Sequence, residues 1–178
     1  MYERTDRIFQ GDMAMKTPDV VTERTLLILS SYHHMNTAKV AGVMANALNA
    51  TIKSPQDVRT DEIEQYDLIG FGSGIYDGKH HVKLIELAEM IPPVSRKRAF
   101  LFSTSAIMGE EKVAKDHSIL RDILQKKGYV IVDEFACKGF NTNSFLKLFG
   151  GMNKGRPNAE DLANADRFAR NLRERTKN

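Results

Sequence analysis

The chain has 178 residues, a formal net charge of +3, 42% hydrophobic and 28% charged residues, and a single cysteine. That length suits one domain with its own core, and Cys137 alone excludes an internal disulfide framework or a cysteine-only metal cluster. No apolar run approaches the roughly 20 residues of a membrane span, the N-terminus lacks the apolar core of a signal peptide, and no basic–aromatic ladder marks a nucleic-acid binder. The expectation is a cytoplasmic protein with neither a membrane nor a nucleic-acid partner.

Residues 1–23 alternate charges without a period and are expected to be an N-terminal extension to a single domain over 24–178. "RTLLILSS" has the form of a buried strand bounded by polar residues. From Thr37 onward, Val40, Ala41, Met44, Ala47 and Leu48 fall on one helical face. "ATIKS" predicts a short second strand, and "TDEIEQY" a short helix with Thr60 as its cap. "YDLIGFGS" is a third strand, apolar enough to be covered on both faces. "GIYDGKH" is expected to be a loop. "HVKLIELAEMI" has helical spacing at Leu84, Ile85, Ala88 and Ile91 and stops at Pro92 and Pro93.

"RAFLFSTS" is a fourth strand. The next helix carries Val113, His117, Leu120 and Leu124 on one face and ends at Gly128. "YVIVDEFAC" is a fifth strand, followed by a long loop over 138–157. The last helix begins at Asn158, with Asp161 three residues later as in a capping box. Its apolar face is Leu162, Ala165, Phe168, Ala169 and Leu172. This alternation predicts an α/β fold, a doubly wound, five-stranded parallel sheet with helices on both faces.

Ligands of such sheets bind outside the carboxyl ends of the strands, where the strand order reverses. Three loops have that place and an unusual composition: "SSYHHMNT", "SGIYDGKHH" and "STSAIMGE". The first opens a helix, whose unpaired N–H groups and partial positive charge suit a phosphate. Ser30, Ser31, Asn36 and Thr37 add side-chain hydrogen bonds; the alternative is that Asn36 or Thr37 only caps its own helix. Other phosphate motifs fail. "GFGSGI" lacks the third glycine of the dinucleotide fingerprint. "GGMNKGRP" has Arg156 and Pro157 where a P-loop needs Lys and Ser or Thr. A response-regulator receiver would need acidic residues where Ser30, Ser31 and Ser73 stand.

The phosphate loop resembles the hydroxyl-rich loop of the flavodoxin family, and most closely a branch with Ser-x-His-His-Gly-Asn-Thr. Ser31, His33, His34, Asn36 and Thr37 match that branch, while Met35 stands where glycine is usual. "YDLIGFGSGIY", "FLFSTS" and "GGMNKGRPNAEDLANADRFA" also resemble it, and the likeness spans about residues 24–175. The resemblance implies the flavodoxin-like strand order 2-1-3-4-5 and an FMN cofactor. The phosphate would rest on Ser31, His33, His34, Met35, Asn36 and Thr37. The ring would lie between Ser73, Gly74, Ile75, Tyr76 and Asp77 on one side and Ser103, Thr104, Ser105, Ala106, Ile107 and Met108 on the other. Tyr76 would stack on the ring, and Ile107 and Met108 would cover its second face. Asp77, if turned inward, would disfavour negative charge on the reduced flavin; otherwise Asp77 and Gly78 form a helix-leading turn.

His33, His34, His80 and His81 are four of the five histidines and are expected near one another, bonded to phosphate or flavin edges rather than to a metal. His117 is expected in the core or at its boundary, and Cys137 as a small buried residue. The long loop carries Lys138, Lys147, Lys154 and Arg156 among Phe140, Phe145, Leu146, Leu148 and Phe149, with no acidic residue. It suits an acidic redox partner, ferredoxin-like or a reductase, docking near 138–156; folding over the flavin or a homodimer contact are the alternatives. Flavodoxin carriers are typically acidic, and a pI near 8.9 departs from that. The expected function is a flavodoxin-like flavoprotein that passes electrons between redox proteins, with no catalytic side chain. The alternative is an FMN-dependent oxidoreductase that takes electrons from NAD(P)H and reduces a quinone. A module that has kept the fold but not the flavin is a third reading, resting on Met35.

Overall fold

The computed structural model of the chain describes residues 23–32, 34–142 and 150–175. Residues 1–22 of the expected extension, His33, and the loop residues Phe145, Leu146, Lys147, Leu148 and Phe149 lie outside them. The elements are β1 (Thr25–Ser30), α1 (Asn36–Leu48), β2 (Thr51–Lys53), a 3-10 turn (Ile63–Gln65), β3 (Leu68–Tyr76) and β4 (Lys79–His80). They continue with α2 (Val82–Met90), β5 (Lys97–Ser105), α3 (Glu110–Lys126), β6 (Tyr129–Lys138) and α4 (Ala159–Arg175). The sheet runs β2-β1-β3-β5-β6 with every neighbour parallel, and β4 pairs antiparallel with the end of β3. With the two-residue β4 set aside, this is the expected α/β fold and strand order 2-1-3-4-5. Among the described residues no helix is long and apolar enough to cross a membrane.

Strand alternation builds two cores. Phe100 and Phe102 of β5 face α1 and α4, where they join Val40, Ala41, Met44, Ala165, Ala169 and Leu172. Ala99 and Leu101 face α2 and α3 and join Phe71, Leu84, Leu120 and Leu124. Each fully buried phenylalanine contributes about 1.5–3 kcal/mol. The glycines of "GFGSG" are part of this packing. A Cβ on Gly70 would stand 2.4 Å from the Phe100 ring, and one on Gly72 would stand 2.0 Å from the Phe102 ring. The G-x-G pattern of β3 therefore makes room for two aromatic rings.

The register aligns Ser30, Ser73 and Ser103 in one row across the carboxyl edge of β1, β3 and β5. Asn158 and Asp161 cap α4 reciprocally, at 2.9 and 3.0 Å, as their spacing predicted. Two local expectations are corrected. Thr60 caps nothing: the helical segment is one 3-10 turn that starts after Glu62 without a side-chain cap, and Lys53 holds Glu62 at 2.6 Å. "GIYDGKH" is a hairpin rather than a loop, with Tyr76 opposite Lys79 and Ile75 opposite His80. Asp77 (φ 50) and Gly78 (φ 74) form its two-residue left-handed turn, the Asp-Gly geometry that suits strand twist.

Candidate functional site

Four loops meet at the carboxyl edge of the sheet, not three. The cleft between them is lined by Ser31, Tyr32 and Asn36 after β1, by Gly74, Ile75 and Tyr76 at the end of β3, by Thr104, Ser105 and Ala106 at the end of β5, and by Gly139, Phe140 and Asn141 after β6.

The first loop turns into α1 through two left-handed residues, His34 (φ 54) and Met35 (φ 52). Such backbone costs about 1–2 kcal/mol in a residue with a Cβ. α1 then starts without a side-chain cap and with no acidic residue in its first turn. Ser31 Oγ accepts from Ala38 N at 3.3 Å, which leaves earlier N–H groups for an anion. Asn36 and Thr37 do not cap the helix either. Asn36 Nδ2 donates to Phe140 O at 2.7 Å, and the Thr37 and Thr104 hydroxyls share a hydrogen bond of 2.8 Å. Both side chains tie the cradle to its neighbouring loops. Asn36 Oδ1, on the cleft wall, is buried with no partner among the described residues, an unmet acceptor beside the free N–H groups; Ser30 Oγ is also unpartnered but lies with Ser73 on the α2–α3 side and does not line the cleft. That set fits a ligand carrying both a phosphate and hydroxyl groups, as FMN does.

Sequence reasoning kept folding over the flavin as one alternative for the fourth loop but named none of its residues in the site. Gly139 is what lets it approach, since a Cβ there would stand 3.0 Å from Asn36 Nδ2 and 3.2 Å from Thr104 Cβ. Asn153 Nδ2 donates to Ala106 O at 2.7 Å. His34 Nε2 is 2.8 Å from Thr142 Oγ1, and its ring centroid lies 4.5 Å from that of Phe140. The unusual composition of residues 138–157 was the signal for these contacts.

Tyr76 forms one wall of the cleft, within a ring cluster. The His81 ring lies 5.4 Å from Tyr76 and 4.9 Å from Tyr32, and Lys83 Nζ stands 5.2 Å from the Tyr32 ring. Lys83, as hydrogen-bond donor, holds the Tyr32 hydroxyl below its usual range. Beyond these rings is a second cleft, lined by Tyr32, Tyr76, Asp77, Lys79, His80, His81 and Val82. Asp77 is exposed at the hairpin tip on that side. Ile107 and Met108 do not line the first cleft. Ile107 is exposed, and Met108 turns to a groove between α3 and β6 with Val113, Arg121 and Glu134. Ala106 and residues 139–141 stand opposite Tyr76 instead.

Among the described residues the histidines do not form one cluster. His34 faces residues 140–142. His81 starts α2, accepting from Lys83 N at 3.3 Å. His80 is buried beneath the cleft, with its ring 4.7 Å from that of His117. His117 is buried as expected, but between polar partners: Ser103 Oγ at 2.8 Å on Nε2 and Glu134 Oε2 at 2.8 Å on Nδ1. Arg121 binds Glu134 through both carboxylate oxygens. Burial pushes the Glu134 carboxyl up, but the bonds from Arg121 and His117 more than offset this and hold it at about 2. Burial pushes the Cys137 thiol up to about 12, so it stays protonated inside the α1–α4 core.

With the geometry in place, comparison with known proteins agrees. A family model described as a flavodoxin domain matches residues 27–151. An uncharacterized protein of Methanocaldococcus jannaschii is 44% identical over 149 residues, covering 84% of this chain and 97% of that protein. A flavodoxin from the domain Archaea superposes with a TM-score of 0.58 at 17% identity, over 87% of this chain and 99% of that one. Flavodoxin 2 of Bacillus cereus gives a TM-score of 0.62 at 16% identity, over 87% and 99%. The Flv1 flavodiiron core of Synechocystis sp. PCC6803 gives 0.63 at 14%, over 88% of this chain but 36% of that one. The structural likenesses show the fold; the family match shows that the chain belongs to the flavodoxin family, which implies a flavin cofactor.

Proposed function

We propose that this member of the flavodoxin family binds FMN in the four-loop cleft and carries electrons between redox proteins. The observation that carries this reading is the start of α1, free of a side-chain cap on its first residues, with Ser31, Asn36 and Thr37 around it, in the same cleft as the half-buried Tyr76. When bound, FMN supplies a ring that accepts and returns electrons. The chain's own residues bind and orient it. The first-turn N–H groups of α1 and the Ser31 hydroxyl would hold the phosphate, Tyr76 would wall the ring, and residues 104–106 and 139–141 would exclude water from the cleft.

The partner favoured is an acidic redox protein, ferredoxin-like or a reductase. Lys138, the last residue of β6, and Lys154, in the loop that follows and borders the cleft, are exposed. Arg156 is engaged by Asp161 at 2.7 Å, so the basic surface is narrower than the composition implies. A second reading, an FMN-dependent oxidoreductase acting on NAD(P)H and a quinone, is favoured by the second cleft. It shares Tyr32 and Tyr76 with the first and leaves room for a small acceptor beside the ring.

One experiment separates the two. FMN-loaded protein is mixed anaerobically with NADH or NADPH and the flavin bands are followed. A carrier bleaches slowly until a reductase is added. Rapid bleaching by the nicotinamide alone, with turnover on a quinone, makes it an enzyme.

A further inference from the structure

The side of the sheet beneath the cleft holds a polar network that cofactor binding does not use. Ser103, His117 and Glu134 follow the donor–acceptor order of a hydrolase triad. Ser103 is 1% exposed and lines neither neighbouring cleft, so no substrate reaches its hydroxyl and acyl transfer is excluded. His80 is different, because its hydrogen bonds connect it to the cleft wall.

Ser73 Oγ has one hydrogen and three neighbours. It lies 2.8 Å from Gly74 O, which can only accept, and 3.0 Å from His81 N, which donates to it. The hydroxyl hydrogen therefore goes to Gly74 O, and the third neighbour, His80 Nδ1 at 2.9 Å, must itself donate. A neutral His80 ring with its hydrogen on Nδ1 keeps a bare lone pair on Nε2. That atom is buried and has no partner among the described residues.

We propose that His80 Nε2 is a proton seat, empty while the cleft holds no added negative charge and filled by one proton from solvent when electrons enter FMN in that cleft. The inference rests on the FMN reading above. The balance is simple. The reductant gives up two electrons, and the flavin takes them with one proton of its own from solvent, leaving one added negative charge. The Nε2 lone pair bonds one proton drawn from water, and no other bond of the chain changes. The resulting imidazolium offsets one unit of the added charge.

Three features support the assignment. First, Gly74 lines the cleft and is bonded to Ser73, which is bonded to His80, so the ring is two hydrogen bonds from the cofactor's space. Second, the surrounding charges are matched. On α3, Asp116 is paired with Lys112 at 2.6 Å. Arg121 of α3 is paired with Glu134 of β6, and His117 lies between Glu134 and Ser103. The hairpin contributes Asp77, Lys79 and His81, and α2 contributes Lys83. With the buried charges paired, the proton on His80 responds to what the cleft holds. Third, burial, with His117 and Arg121 beside it, keeps the free ring well below the usual histidine range, while Glu134 acts in the opposite sense. The seat is empty at neutral pH until a further negative charge arrives.

The test is nitrogen-15 NMR of histidine-labelled, FMN-loaded protein at pH 7, before and after anaerobic reduction with dithionite. The expected result is that the His80 Nε2 signal moves from the position of a bare ring nitrogen to that of an N–H on reduction, and returns on re-oxidation. Reduction in a weakly buffered solution with an indicator dye gives a second readout. The native protein takes up about one proton more than His80→Gln. If that variant does not fold, the NMR measurement on the native chain stands alone. A merely structural role for His80 leaves Nε2 bare in both states, and that result overturns the inference while FMN binding stands. A protein that stays colourless and binds no added FMN overturns the reading beneath it and this inference together.

Discussion

The two faces of the sheet are built from the same alternating strands, yet they end differently at the carboxyl edge. Under α1 and α4 the core is apolar through Phe100 and Phe102, which cover Gly70 and Gly72, and Cys137, and it meets the cleft in the neutral Thr37–Thr104 hydroxyl pair. Under α2 and α3 the apolar core of Phe71, Leu84, Leu101 and Leu120 gives way to Ser73, His80, Ser103, His117 and Glu134. The dry face fixes α1, whose N-terminus is the phosphate cradle. The polar face sits under the walls of the cleft and sets its electrostatics. One site thus draws rigidity from one side of the sheet and charge response from the other.

The largest expected effect lies on the dry face. Phe102→Ala should lower stability by about 3–5 kcal/mol, read as a reduced urea midpoint. Gly72→Ala attacks the same contact from the opposite strand, and overpacking of this kind costs about 1–3 kcal/mol. On the polar face, His117→Leu leaves the buried Ser103 hydroxyl without its partner, while Glu134 keeps Arg121 on both oxygens, and should cost about 1–3 kcal/mol. If it costs as much as Phe102→Ala, the polar network is as much a core as the phenylalanines are.

The pH dependence should separate the faces further. His80 has a lowered folded pKa, so its contribution is full above the usual 6.5 and is lost as pH falls below that value. Glu134, lowered from 4.5 to about 2, adds a second loss across that interval. Both groups belong to the polar face, and His80→Gln should remove the first acid loss alone. The dry face acts at the other end of the scale. Cys137 is raised from 9.0 to about 12, so its stabilisation is full below 9.0 and is lost as pH rises toward 12. Cys137→Ala should flatten that alkaline loss. Urea unfolding at a series of pH values reads all three. The smallest effect is at the cradle, where Met35→Gly relieves a left-handed residue at the entropic cost of glycine. The expected net gain is less than about 1 kcal/mol, with FMN affinity kept or improved.

The fold was legible because its signals are periodic. Five strands and four helices announce themselves by alternation and by caps such as Asn158 with Asp161. The phosphate loop was legible because several polar residues crowd one strand–helix junction. What the sequence hid was contact between distant segments. Asn36 has the appearance of a cap, yet its amide reaches Phe140, 104 residues away. Glu134 has the appearance of a stray charge in an apolar strand, yet it anchors His117 and Arg121. Ile107 and Met108 have the right neighbours in sequence to cover a ring, but the chain turns them outward after Ala106. The Asp-Gly pair carries a hairpin signal, but with α2 starting at Val82 the same pair also fits a helix-leading turn.

The central claim is that the start of α1 holds the phosphate of a flavin in the four-loop cleft. The direct measurement is a titration of the cofactor-free protein with FMN and, separately, with riboflavin, following the quenching of flavin fluorescence. The account predicts FMN binding near 1:1 and riboflavin binding at least tenfold weaker, about 1.4 kcal/mol or more for the phosphate. Equal affinities, or no binding of either, would contradict it.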